Sequence, residues 1–428
     1  MIVAGRRVDL DLALMVWGWG SWLGVNGIFV QLPQFVQRLP EQWALPSSIT
    51  VAVQIANSGL LIYAFIKRFL PRITDAMCIY GLLAIGTTAL FLNAFLYTET
   101  AYVGSTERSV VFIVLTIFTA MVGTTSSVVF YPYMRNFREM YLSTYLVGEG
   151  LSGLLPSILS LIQGIGGPPE CVLSPDGNSM QAIFPPARFD PTVFLCIVGS
   201  LCITSFISFF VLNNYSGFDS EKISATEKKA LTEETKEMPD ETVVMSSTPK
   251  SMLDSHWLGL FILMAVINAF FNGLMPSLQT YSCLPYGRQA FHLAVTLGTI
   301  ANPVACLAGV WMKMAHGRYI AGMLVISAGL IVYITVTAVM SPTPPLYQET
   351  SGAVIIVIVW VVANGLISYS RMWIYSKARE GGMKPMRVLG AIGQVGSALG
   401  SFTLFWVVNF GNFFQQAEDC PMPTLLLS

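Results

Sequence analysis

The sequence predicts an all-α integral membrane protein with eleven transmembrane helices, six and then five, forming a parallel pseudo-repeat. Three observations predict it. Of 428 residues, 54% are hydrophobic and 11% charged, with a mean hydropathy of +0.62, whereas a soluble domain carries roughly 25% charged residues. Eleven apolar stretches of about 20 residues are long enough to cross a hydrocarbon core about 30 Å thick. Short motifs of the first half recur in the second at an offset of 245 or 246. The same arithmetic excludes other classes. A net charge of −1 leaves no basic surface for nucleic acid. Seven Cys and three His, without a CxxC pair or HExxH, suggest neither a zinc site nor a disulfide framework. No nucleophile and base stand at workable spacing within the spans, so an enzyme is not expected. No cofactor or obligate protein partner is expected; the lipid bilayer is the surrounding partner.

The stretches cover residues 11–36, 48–66, 77–97, 109–133, 140–162 and 191–212, then 256–275, 289–312, 319–340, 353–375 and 387–410. The first is too long for a signal peptide and is interrupted by Pro33 rather than a small-residue cleavage site, so it reads as a retained helix. This divides the chain into a six-helix lobe (1–213), a cytosolic acidic linker (214–254), and a five-helix lobe with an extracellular tail (255–428). Residues 216–254 carry five Lys and nine acids, a disordered composition. Lys and Arg near span ends favour the cytosol. With the N-terminus inside, 19 of the 23 bases are cytosolic and only Arg38, Arg108, Arg188 and Arg288 lie outside. The N-terminus is therefore expected in the cytosol and the C-terminus outside. The Asn214-Tyr215-Ser216 glycosylation sequon then lies on the wrong side for modification. Cys171 and Cys420 share the oxidising side; a disulfide and two free thiols are both compatible with the sequence, which does not fix their separation.

The repeat is carried by three matches in one order. Asn26-Gly27 recurs as Asn272-Gly273, Ile55-Ala56-Asn57 as Ile300-Ala301-Asn302, and the Glu149 segment, Gly148 to Gly153, as Gly393-Gln394-Val395-Gly396-Ser397. Both copies start inside, so the repeat is parallel, as in transporters whose two halves rock about a central site.

Polar groups inside spans usually face protein or a water-filled cavity. Glu149 is the one acid near the centre of a span; it reads either as a substrate or proton-linked carboxylate or as a packing group among Gly148, Gly150, Ser152 and Gly153. Gln54, Asn57 and Ser58 share one helical face. Trp19, Trp22 and Asn26 share another, with Gln31 nearer the outer end. Asn272, Gly273 and Pro276, followed by Ser277, Gln279, Thr280 and Tyr281, suit a continuous helix poorly, so a broken end lining the cavity is expected. His292 reads first as a structural histidine. The spans offer no mid-depth base to clamp an anion, because Arg371 and the other bases belong near the cytosolic face. They offer no acid cluster for a cation either. Amides, hydroxyls and aromatic faces suit a neutral flat heterocycle with donor and acceptor edges, such as a nucleoside or a flavin.

Several strings carry a specific resemblance. Trp19-Gly20-Ser21-Trp22 with Asn26-Gly27 and Gln31-Leu32-Pro33, then Gln54-Ile55-Ala56-Asn57, Thr125-Ser126-Ser127 and Val147 through Pro156 follow one order. Asn272-Gly273, Pro276-Ser277, Gln279-Thr280-Tyr281-Ser282-Cys283 and Ala301-Asn302-Pro303 continue it. Together they resemble the riboflavin transporters of solute carrier family 52, over all eleven spans. The resemblance implies an arrangement similar to equilibrative nucleoside transporters and sodium-independent uptake of riboflavin across the plasma membrane. It implies a substrate set of Trp22, Asn26, Gln31, Gln54, Asn57, Ser127, Glu149, Asn272, Gln279, Tyr281 and Asn302. In this set the amides would meet the pyrimidine-like edge and ribityl chain, and Trp22 or Tyr281 would stack. Gln31 stands where several relatives carry an acid. The alternatives are a nucleoside transporter on the same scaffold and a ligand-binding membrane receptor; a receptor has no need of a second half that mirrors the first.

Overall fold

A computed structural model describes residues 2–3, 6–165, 169–173, 180–222, 255–311, 316–380 and 383–417. The N-terminal lobe contains α1 (Val8–Trp19), α2 (Leu23–Val30), α3 (Leu32–Phe35), α4 (Leu45–Ala56), α5 (Ser58–Phe69), α6 (Asp75–Leu96), α7 (Val110–Met134), α8 (Leu142–Gln163) and α9 (Pro191–Asn214). The C-terminal lobe contains α10 (Ser255–Asn268), a π-turn (Ala269–Leu274), α11 (Met275–Cys283), α12 (Arg288–Trp311), α13 (Gly317–Val339), α14 (Thr350–Glu380) and α15 (Met383–Phe410). The strands described are short antiparallel hairpins in loops or at the N-terminus: Ile2–Val3 with Arg6–Arg7, Ala101–Val103 with Thr106–Arg108, and Glu170–Leu173 with Met180–Ile183.

Ten helices among the described residues are long and apolar enough to cross a membrane; α1 and α2, bent by 50°, pass the same test as a pair and raise the number to eleven. The bend falls at Gly20-Ser21-Trp22 and splits the expected aromatic stripe. Trp19 Nε1 donates to the Leu201 carbonyl on α9 at 3.1 Å, while Trp22 turns toward α7. The seventh span is a second departure from expectation. It does not unwind after residue 275 but stays helical from Trp257 to Tyr286, with the π-turn absorbing the irregularity. Pro276 sits in the first turn of α11, where a missing N–H costs least. It cannot donate to the Asn272 carbonyl, which instead accepts from the Ser401 hydroxyl at 3.2 Å. The acidic linker begins in order: Ser216–Glu221 form a 3₁₀ turn, Phe218 is buried and the Tyr141 hydroxyl donates to Glu221 at 3.2 Å. The rest of the linker, 223–254, lies outside the described residues.

The two lobes pack by corresponding pairs. In the first, α1 packs on α8, α4 on α7 and α6 on α7; in the second, α10 packs on α15, α12 on α14 and α13 on α14. Glycine makes the first of these crossings close in both lobes. A Cβ on Gly148 would stand 2.2 Å from the Met15 carbonyl oxygen, and one on Gly396 2.2 Å from that of Ala265. In the first lobe α9 packs on both α1 and α6. No described helix takes that place in the second lobe, and there α11 packs directly on α13. Between lobes the contacts again pair: α8 with α12 and α4 with α15, then α2 with α12 and α4 with α11.

Candidate functional site

Glu149 lies about two turns into α8. Its carboxylate accepts a hydrogen bond from the Tyr131 hydroxyl of α7 at 2.8 Å and lies within reach of the Trp22 side chain. The Trp22 ring lies on Gly123 of α7, where a Cβ would come within 2.6 Å of ring atom Cε3, so absence of a side chain there makes room for the indole. Asn26, one turn along, donates to Ser152 Oγ at 3.4 Å, and Ser152 donates to the Glu149 carbonyl at 2.6 Å. Trp22, Asn26 and Glu149 thus form one cluster on the first lobe, completed by Tyr131.

Asn57 caps the junction of α4 and α5. Its Nδ2 donates to Gln54 Oε1 at 3.1 Å and across to Gln394 Oε1 of α15 at 3.4 Å. Gln394 is the residue that the internal repeat aligns with Glu149, as Asn302 aligns with Asn57. One such pair meets directly, and the corresponding pair is approached only through neighbouring residues. On one side Asn57 meets Gln394; on the other, Gly150 of α8 lies against Pro303 of α12, a Gly150 Cβ standing 3.7 Å from the Pro303 Cβ. There Asn302 is exposed, touched by the Cys306 thiol at 3.8 Å, and Glu149 is held within its own lobe. Asn272, in the π-turn, donates to Asn268 Oδ1 at 3.1 Å and to Ser397 Oγ at 2.8 Å. Ser127 is exposed one turn before Tyr131.

Three expected site residues stand apart. Gln31 is 1% exposed and donates to Gln163 Oε1 at 2.6 Å, while Gln163 donates to the Phe189 carbonyl at 2.8 Å, a chain sealed within the first lobe. Gln279 and Tyr281 are buried where the lobes close on each other. Tyr281 packs edge-on against Trp43 at 5.6 Å, and Thr280 donates to the Trp43 carbonyl at 2.6 Å. Around them Arg288 donates to Gln37 Oε1 at 2.7 Å and to the Ile165 carbonyl at 3.1 Å; Arg108 donates to Asn409 at 3.3 Å, Asn409 to Ser47 at 3.0 Å, and Gln416 to Gln42. Asn57 to Gln394 apart, every described hydrogen bond between the lobes lies at this one end. His292 is buried near the start of α12.

Tyr131 lies four residues beyond Ser127, so helical spacing from the Thr125-Ser126-Ser127 motif marks it. Trp43 falls between predicted spans and carries no periodic signal. Arg371 is half-buried: its guanidinium lies 4.8 Å from the Phe271 ring centroid and its Nε is buried. Cys171 is disulfide-bonded, while Cys78, Cys196, Cys202, Cys283 and Cys306 are free thiols; Cys420 lies outside the described residues.

Two helical lobes, joined at one end and facing each other across amides, an acid and an indole, define a membrane transporter rather than an enzyme. Solved structures agree at the level of fold. The chain is similar to a D-xylose–proton symporter with a TM-score of 0.58 and 12% identity, over 93% of this chain and 89% of that one. It is similar to a point mutant of the nucleoside transporter NupG with a TM-score of 0.52 and 13% identity, over 93% and 91%. The chain belongs to solute carrier family 52, the riboflavin transporters, whose family model matches residues 6–416. Riboflavin transporter 2 of Salmo salar is 34% identical, with 95% of this chain and 96% of that protein covered. Member 3 of the family from Homo sapiens is 33% identical, with 96% and 98% covered.

Proposed function

We propose that this chain carries riboflavin into the cell across the plasma membrane by alternating access and without sodium. Family membership supports the cargo. The observation that carries the mechanism is the one-sided closure: the lobes hold each other by hydrogen bonds at one end, while the polar face of each lobe points into the space beyond. A binding site reached from one side at a time is what alternating access requires. The distribution of Lys and Arg puts the closed end outside, so this conformation opens to the cytosol. Eleven spans in a parallel repeat of six and five are supported by the matched helix pairs within and between lobes, with α9 the unrepeated span. On this reading Trp22, Asn26, Gln54, Asn57, Ser127, Glu149, Asn272 and Asn302 meet the cargo, Gln279 and Tyr281 meet it only as it enters from outside, and Gln31 holds Gln163 within the first lobe without meeting it. Cys171 pairs with Cys420.

The test is uptake of labelled riboflavin into cells expressing the chain, with excess riboflavin, lumiflavin and uridine as separate competitors. Saturable uptake, blocked by flavins and not by uridine, and unchanged when sodium is replaced by choline, is expected. Block by uridine points to a nucleoside transporter on this scaffold; specific binding without accumulation points to a receptor.

A further inference from the structure

Arg371 belongs to α14 and lies within the membrane-spanning segment Thr350–Ala378. A cation about two turns inside the end of a span is costly unless something answers its charge. None of the ion pairs among the described residues includes it. Its buried Nε has no hydrogen-bond partner, and its guanidinium lies against the face of Phe271. Phe271 is the neighbour of Asn272 in the π-turn. Helix α12 runs between the two lobes' charges: Pro303 lies against Gly150, the residue after Glu149, with 3.7 Å to a Gly150 Cβ, Ala301 stands 4.0 Å from a Cβ on Gly365 of α14, and Cys306 touches Asn302. The helix that carries the guanidinium and the helix that carries the carboxylate therefore both pack on the Ala301–Pro303 stretch of α12, beside the amides already assigned to cargo.

We propose that Arg371 is a cargo-recognition residue that donates hydrogen bonds to a carbonyl of a neutral imide, opposite a carboxylate that accepts from its N–H. This rests on the riboflavin reading and deepens it. An imide presents C=O, N–H and C=O along one edge. Glu149 can accept and cannot donate when ionised; Arg371 can donate and cannot accept. A flat cargo between them satisfies both while carrying no net charge itself. The same arrangement discriminates against heterocycles that lack an acceptor beside a donor, because they leave the guanidinium unanswered within the span.

The experiment uses the full chain in cells, with uptake normalised to surface protein, and compares riboflavin with 4-thioriboflavin, whose sulfur is a weaker acceptor, and with N3-methylriboflavin, which lacks the imide N–H. The wild-type chain is expected to prefer riboflavin over both. Arg371→Gln should raise the KM for riboflavin roughly tenfold or more, the worth of a hydrogen bond to a charged group, and erase the preference over the thio analogue. Arg371→Lys should restore part of the affinity. In wild-type membranes, riboflavin but not ribitol should slow phenylglyoxal modification of Arg371, read by mass spectrometry; this requires no variant to fold. An Arg371→Gln chain at the surface with unchanged KM and unchanged preference overturns the proposal, as does absence of flavin protection. A wild-type chain that takes up no riboflavin overturns the parent reading as well.

Discussion

Tyr131 and Glu149 make the hydrogen bond on which the first-lobe cluster turns. Tyr131→Phe removes a single hydroxyl and leaves the ring packing against Tyr145 in place. Loss of one such bond is worth about 1 kcal/mol, so riboflavin affinity should fall roughly fivefold at normal surface expression, as measured by saturation uptake. Glu149→Gln separates the two readings of the acid. Normal transport at every pH excludes a proton-linked role, and failure to reach the surface marks a packing role. Gln31 gives the contrasting case. Gln31→Leu strands the Gln163 amide in a sealed site, which costs about 1–3 kcal/mol; thermal stability in detergent should drop, while the KM for riboflavin stays the same. Both residues are intramembrane polar groups in the sequence, and nothing in their spacing separates them. The difference lies in whether a second buried amide, 132 positions away, answers the first. Sequence periodicity is silent about partners at that distance.

Among the helices, the crossing of α1 and α8 is the tightest test of the packing. The Gly148 backbone lies against Met15, so Gly148→Val cannot be absorbed by a rotamer change. The helices must separate along the crossing, and little mature protein should reach the surface; quantitative surface biotinylation measures this. Gly81, where a Cβ meets nothing within 4 Å, should accept the same change without loss. The spans were legible in the sequence because apolar length is a local property. The seventh span was legible only in part. Asn272, Gly273 and Pro276 mark an irregularity, but a π-turn and an unwound segment share that signal. What decides between them is a donor from another helix, Ser401, and that cannot be read from the sequence of the span. The same limit applies to the first span, whose bend at Gly20-Ser21-Trp22 sends Trp19 and Trp22 to different neighbours.

For the whole molecule, the closure at one end ties the conformational equilibrium to a few side chains. Arg288 bridges α12 to Gln37 and to the Ile165 carbonyl of the other lobe. Arg288→Ala removes both hydrogen bonds and should shift the population toward the conformation open at that end. The measurable outcome is a severalfold faster reaction of a cysteine introduced by Asn57→Cys with a membrane-impermeant maleimide added outside. An unchanged rate places the barrier elsewhere, in the Trp43 and Tyr281 contact. A mostly helical membrane protein of many spans was legible in the composition, and the 245-residue offset of its motifs suggested two related halves. Which end is shut was not, because it depends on side chains from loops and helix ends that carry no repeat.

The residues after α15 do more than end the chain. Ser341 donates to the Gln415 carbonyl at 2.7 Å, and Gln416 reaches Gln42 in the other lobe. In the proposed transport cycle residues 411–417 lie like a hasp across the seam that parts for cargo to enter. With this end outside, as proposed, an antibody fragment raised against that segment in its docked form would act as a padlock: an inhibitor that never has to enter the cavity, compete with a vitamin for its site or cross a membrane to work.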